Sequence, residues 1–269
     1  MKRILLTILY DGSAYYGWQV QKSVRTIQGV IEGVLYRITG QHLRIYGSGR
    51  TDAGVHALGQ RAIFDTDSRL SAPDFGSALN ALLPDDIRII DASEAGPEMH
   101  PRFSALSKRY FYLIYNAPIK NPFLLRYAWH IKYPIDINEM RQASVYFKGI
   151  HDFKSFTTVG KVLTSNYSKV TIREIYDITI SEEKTIGFFG AVESSGRFIK
   201  ITIEADGFLR YMARNIVGTL VDVSSGRIEK EEISNIIRAK NRASSGIAAP
   251  PNGLYLERVY YGDSKICVK

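Results

Sequence analysis

The chain has 269 residues, 45% hydrophobic and 23% charged, an ordinary balance for a globular protein that excludes disorder, collagen and coiled coil. No apolar run approaches the roughly 18 residues of a membrane span. Lys and Arg number 35 against 27 Asp and Glu, a net charge of +8 that suits a polyanion such as nucleic acid, although many proteins are mildly basic for solubility alone.

The chain opens Met1-Lys2-Arg3 and continues into an apolar run that stops at Tyr10-Asp11-Gly12. That run is too short for a signal segment and has no small-residue cleavage site, so it reads as a strand over 3–10 of a cytoplasmic protein. Thr26 is an N-cap candidate for a helix. Ile27, Val30, Ile31, Val34, Leu35 and Ile38 follow at i, i+3, i+4, i+7, i+8 and i+11, and Gly40 closes it. Residues 43–48 and 59–66 read as strands around a glycine-rich turn, 72–82 as a helix ended by Pro84, and 86–94 as a strand. The order is β-α-β-β-α-β, the ferredoxin-like or split βαβ arrangement.

The second half repeats that order loosely. An aromatic strand covers 106–116. A helix covers 136–148, opened by Asp136 and closed by Gly149. Strands follow near 170–181, 185–193 and 197–206. Leu209, Met212, Ala213, Ile216, Val217, Leu220 and Val221 make the clearest apolar stripe. A helix near 229–240 and a strand near 253–261 finish the chain. Gly96, Pro97 and Pro101 mark the division, giving subdomains 1–100 and 101–269 in an α+β fold.

The segment Gly47-Ser48-Gly49-Arg50-Thr51-Asp52-Ala53-Gly54-Val55-His56-Ala57 lies between two strands and carries three glycines. The dinucleotide fingerprint needs glycine where Asp52 stands. The P-loop needs Lys then Ser or Thr where Val55 and His56 stand. Both fail, so no nucleotide cofactor is expected. What remains is a carboxylate on a constrained turn, two residues after an arginine, able to act as nucleophile or base. The alternative is a plain hairpin in which Asp52 caps amides and Arg50 is solvated.

Arg210 and Arg214 share a helix face beside the apolar stripe. Partial burial of either calls for a carboxylate or phosphate partner, and the alternative is a solvated pair. On the strand Ser107-Lys108-Arg109-Tyr110-Phe111-Tyr112-Leu113-Ile114-Tyr115, aromatics beside basic residues can stack bases, or simply follow β-propensity. Cys267 is the lone cysteine, and His42, His56, His100, His130 and His151 show no ligand spacing. No metal site is expected.

Four segments together carry a family pattern: Tyr10-Asp11-Gly12-Ser13-x-Tyr15-Tyr16-Gly17-Trp18-Gln19, Gly49 to His56, Lys108-Arg109-Tyr110-x-Tyr112, and Met212-x-Arg214-Asn215-Ile216-Val217-Gly218. In this order they resemble the tRNA pseudouridine synthases of the TruA family over essentially the whole length. The resemblance implies the pseudouridine synthase fold, with two ferredoxin-like subdomains whose antiparallel sheets join around a central basic cleft. It implies a homodimer acting on the anticodon stem-loop of tRNA at uridines 38 to 40, without cofactor or metal. It implies Asp52 as the catalytic aspartate, Tyr110 as the active-site tyrosine, Arg214 as the arginine pairing with Asp52, and Arg50 as the group entering the stem when the base leaves. Gly49, Thr51, His56, Lys108, Arg109 and Arg210 are expected as further substrate contacts.

One stretch departs from the pattern. After Ile172-Arg173 many relatives carry Thr, and this chain has Glu174, which bears on how the loop at 157–170 grips RNA. Two rival readings remain: a pseudouridine synthase for other RNA positions, and a non-catalytic RNA-binding module. The RNA-recognition-motif signature is missing from the aromatic strand, which counts against the second.

Overall fold

Nine residues, Lys2–Tyr10, form strand β1, with Ile4, Leu5, Leu6 and Ile8 fully buried. The computed structural model describes residues 1–158, 171–183 and 196–262. Helix α1 is Ile27–Thr39. Thr26 caps it by accepting the Gly29 amide, and Gly40 ends it in the left-handed region at φ 71°. The short strand β2, Tyr46–Gly47, and the long strand β3, His56–Thr66, follow. Helix α2, Ala72–Leu82, opens with a capping box between Ser71 and Asp74, and strand β4 is Ile87–Ala95.

By contacts, the chain divides into two units. One is Met1–Lys108 together with the strand from Tyr255, the other Arg109–Leu254. A cut at 100, the expectation from sequence, does not include that return of the last strand.

In the first unit the sheet order is β4-β1-β3, with β2 on the far side of β3. All these pairings are antiparallel, the split βαβ arrangement. The last strand, β10 (Leu254–Tyr261), adds to β3 in parallel, Tyr255 opposite His56. Register puts Ile4 opposite Phe64 and Leu6 opposite Ala62. The Phe75 ring of α2 meets Phe64 edge-on at 5.2 Å. Burying a side chain such as Phe75 is worth about 1.5–3 kcal/mol. On the opposite face Leu5, Ile63, Ala95 and Met99 form a second cluster, joined by Tyr261.

β2 is shorter than the run 43–48 suggests. The cause is local: the Ile45 amide donates to Glu32 Oε1 (3.0 Å) and its carbonyl accepts from Gln28 Nε2 (3.2 Å). Those backbone groups are satisfied by α1 side chains instead of by a strand ladder.

The second unit carries strand β5 (Ala105–Asn116, from Arg109 onward), β6 (Trp129–Ile131), helix α3 (Ile137–Ser144), β7 (Gly149–Asp152), β8 (Ile172–Glu183), β9 (Arg197–Ala205), and helices α4 (Met212–Ser224) and α5 (Glu232–Ala239). Its sheet order is β5-β9-β8-β7, with β6 parallel on β5. β6 and β7, of three and four residues, are too short to show a period. The expected strand at 185–193, residues 159–170 of the loop and Cys267 lie outside the described residues. No helix among the described residues is long and apolar enough to cross a membrane.

Helix α4 buries Met212, Ala213 and then every residue from Asn215 to Val223. Its neighbour is backbone. A Cβ on Gly218 would sit 1.6 Å from the Ile247 carbonyl oxygen. Its backbone amides tie that strap to the helix: Gly246 N to Thr219 Oγ1 (3.0 Å), Ile247 N to Asp222 Oδ2 (3.1 Å), and Ala249 N to the Arg214 carbonyl (3.0 Å).

Candidate active site

In the first unit, the segment 10–19 and the loop 47–56 are built as one piece. The Trp18 amide donates to the Thr51 carbonyl (3.1 Å), and the Gly54 amide to the Tyr15 carbonyl (3.2 Å). The Thr51 hydroxyl meets the buried Tyr10 hydroxyl at 2.8 Å. Burial pushes the Tyr10 hydroxyl well above its ordinary pKa, so it remains protonated at neutral pH. Gly17, at φ +86°, approaches so closely that a Cβ would lie 2.4 Å from the Thr51 oxygen. A Cβ on Gly12 would lie 2.0 Å from the Val55 oxygen. Asp52 is half-buried on this loop, and its carbonyl accepts the Val55 amide (3.2 Å). Its neighbours on both sides are therefore fixed, which sets the direction in which its side chain leaves the backbone.

The rest of the loop is anchored from below. Gln60, fully buried on β3, donates to the Gly49 carbonyl (3.0 Å) and accepts from the Ser48 hydroxyl (2.7 Å). Lys108 Nζ donates to the Ser48 carbonyl (2.7 Å), so this lysine supports the loop itself. Arg50 is exposed, and its Nε donates to Gln19 Oε1 (3.1 Å).

His56 is 2% exposed. Its ring stacks on Tyr255 at 4.7 Å, and its Nδ1 lies 3.1 Å from Asp11 Oδ1. The Gly12 amide faces the same nitrogen at 3.2 Å. One nitrogen cannot both donate and accept, and the charged carboxylate is the stronger claim. A motif histidine expected as a substrate contact thus occupies an interior position that fastens the loop base to segment 10–19.

In the second unit Tyr110 is 6% exposed, with its ring edge-on to Phe208 at 4.7 Å. Arg109 makes two hydrogen bonds to Glu204 Oε2, from Nη2 (2.7 Å) and Nε (3.0 Å). Tyr211, preceding α4, is a non-glycine residue in the left-handed region at φ 64°. Such a residue costs roughly 1–2 kcal/mol. The turn sets its ring beneath two guanidiniums, Arg214 at 4.6 Å and Arg210 at 5.2 Å. Arg214 Nε donates to the Ala249 carbonyl (2.6 Å), which orients its fork. α4 begins at Met212, and Leu209 stays outside it because the chain turns at Tyr211.

The family described as tRNA pseudouridine synthase matches residues 6–104 and 143–262. Three curated relatives, each called tRNA pseudouridine synthase A, match over 261 residues, 97% of this chain and 100% of theirs. They come from Thermoanaerobacter sp. (strain X514) at 42% identity, Caldicellulosiruptor saccharolyticus at 43% and Clostridium botulinum (strain Alaska E43 / Type E3) at 41%.

The chain belongs to the tRNA pseudouridine synthase family.

Members of this family are isomerases that convert uridine to pseudouridine, and this chain is one of them. A solved chain of a Cbf5-Nop10-Gar1 complex aligns at a TM-score of 0.33 and 12% identity, over 96% of this chain and 60% of that one, a likeness that carries no argument. Within the tRNA pseudouridine synthase match lie Gly49, Arg50, Thr51, Asp52, His56, Arg210 and Arg214, whereas Lys108, Arg109 and Tyr110 fall between its two stretches. Gln60, Gln19, Asp11 and Phe208 were not singled out by the sequence for the roles they hold here. Gln60 did leave a signal, as a polar residue at an interior position of a strand.

Proposed function

We propose that this tRNA pseudouridine synthase acts on tRNA in the cytoplasm, at the uridines of the anticodon stem-loop, positions 38 to 40, with Asp52 as its catalytic carboxylate. The observation that carries the reading is the two-sided anchorage of Asp52, through Thr51 to Trp18 and Tyr10 and through Gly54 to Tyr15. Exposed Arg50, two residues earlier, supports the companion role of entering the stacked helix. The homodimer implied by the family resemblance belongs to the same reading.

In the reaction the N1–C1′ bond of uridine breaks and a C5–C1′ bond forms. C5 gives up its proton and N1 carries one, so atoms balance with no co-reactant. The target base first leaves the stack, at a cost of a few kcal/mol. Arg50 fills the vacated space. Asp52 then attacks the nucleoside or removes a ribose proton. Arg214 keeps Asp52 ionised, since a guanidinium opposes the desolvation that favours the protonated acid. Tyr110, supported by Phe208, stacks on the detached uracil and keeps it within reach while it turns. Gly49, Thr51, Lys108, Arg109 and Arg210 complete the substrate grip in this reading. Lys108 does so through the Ser48 carbonyl that it holds.

A pH series of pseudouridine formation on tRNA, read by carbodiimide sequencing, tests the assignment. Asp52→Asn keeps tRNA affinity and loses at least about 10²–10⁴-fold in turnover, the range for a positioned acid or base. Arg214→Ala moves the acidic limb of the profile upward. Near-normal turnover in Asp52→Asn, or product at sites outside 38 to 40, refutes the corresponding part.

A further inference from the structure

From Gly33 to Thr51 the chain has no Asp or Glu, but three arginines, Arg37, Arg44 and Arg50. Within this stretch one aromatic pair and one cation–ring pair lie at the surface. The Tyr36 and His42 rings stack at 4.4 Å with 17° between their planes. The Arg44 guanidinium lies 5.5 Å over the ring of Tyr46. Tyr36 and Tyr46 are 46% and 47% exposed, so part of each ring is open to a partner.

Their presentation is fixed by the interior. Ile45, 1% exposed, is clamped to α1 at both backbone groups, by Glu32 at its amide and Gln28 at its carbonyl. A strand-like residue held inward turns both neighbours, Arg44 and Tyr46, outward. Glu32, the nearest acid before the stretch, spends its Oε1 on this clamp and on Gln28 Nε2. The clamp also connects to the catalytic loop. Gln28 Oε1 accepts from Gln19 Nε2 (2.6 Å), and Gln19 Oε1 accepts from Arg50 Nε (3.1 Å). The aromatic strip and Arg50 are thereby held in one side-chain frame.

We propose that Tyr36, His42, Arg44 and Tyr46 form a second RNA-contact strip, taking backbone phosphates and an unpaired base of the substrate tRNA outside the reacting nucleoside. The proposal rests on the reading of the chain as a tRNA-modifying enzyme. Exposed rings and arginines in one stretch, whose bordering acid Glu32 is engaged by the Ile45 clamp, match the requirements of a single-stranded or looped nucleic acid: π-faces for bases and cations for phosphates. Their rigid mounting lowers the ordering cost of binding. Continuity with Arg50 gives the strip its partner, because RNA held at Arg50 extends on to the adjoining surface.

The experiment compares wild type with Tyr36→Ala/His42→Ala and Arg44→Ala/Tyr46→Ala by filter binding to tRNA at several salt concentrations, with turnover, thermal midpoint and sedimentation mass alongside. Each double variant is expected to bind about tenfold more weakly, with unchanged kcat, midpoint and mass. Loss of Arg44 also lowers the salt slope by about one unit. Unchanged affinity overturns the strip. Weaker binding accompanied by a changed mass also overturns it, by making the surface a contact between copies. A wild type that binds tRNA but forms no pseudouridine sinks the functional reading, while the affinities still decide the strip. A wild type that binds no tRNA sinks both.

Discussion

At Asp11 two opposing effects meet. Burial resists ionisation of its carboxyl, and hydrogen bonds from His56 and Ser13 outweigh that resistance and hold the group well below the usual carboxylate range. A folded-state value below the unfolded one, about 3.9, means stability that is fully present above that pH and is lost as pH falls through the folded value. Thermal melting of wild type and Asp11→Asn reads this directly. Wild type melts higher at pH 7, and the difference shrinks progressively below about pH 4. A difference that is the same at pH 3 as at pH 7 removes the ionised carboxylate as its source. The same residue shows how far a motif reads. Tyr10-Asp11-Gly12 marks a turn in the sequence, whereas its bond to a histidine 45 residues later depends on β1 and β3 lying side by side.

Elements were legible where one period ran long enough. In α1 the spacing 27, 31, 34, 35 coincides with buried positions, because an amphipathic stripe needs only its own face to declare itself. β2 was overstated because side-chain amides and carboxylates took over the backbone groups of Ile45, a substitution no periodicity encodes. In α4 the stripe was visible but not the reason for Gly218. That glycine admits the backbone of 247–249 against the helix. Gly218→Ala gains about 1 kcal/mol of helix propensity and forces a Cβ onto a carbonyl oxygen that cannot rotate away. The net expectation is a loss of at least about 1–3 kcal/mol, seen as a lower thermal midpoint. On the role proposed for Arg214, turnover falls as well, because Ala249 in that strap accepts from Arg214. A variant melting at or above the wild-type temperature contradicts the packing argument.

For the whole molecule the governing quantity is the net charge of +8. Binding a polyanion through cationic side chains releases counterions, so tRNA affinity falls linearly on a log–log plot against salt, by about 0.7–0.9 for each phosphate contact. With six or more contacts, affinity drops roughly 10³-fold between 50 and 200 mM salt. A flat filter-binding profile across that range shows that binding is not led by phosphate contacts. Charge total and composition are sums over residues, so they need no fold to be known.

The linear chain by itself determined the element order of the first unit, the two helices flanking β2 and β3 with the Thr26 cap of the first, and the loop from Gly49 to His56 as the place to look for chemistry. These are local properties: periods, caps and glycine punctuation act over a few residues. Only the tertiary structure decided that His56 is interior, that Lys108 and Gln60 hold the loop from beneath, that Arg109 is engaged by Glu204, and that the last strand returns to β3. Each of these joins residues far apart along the chain, and a hydrogen bond or a close glycine contact exists only when folding has brought both partners within about 3 Å.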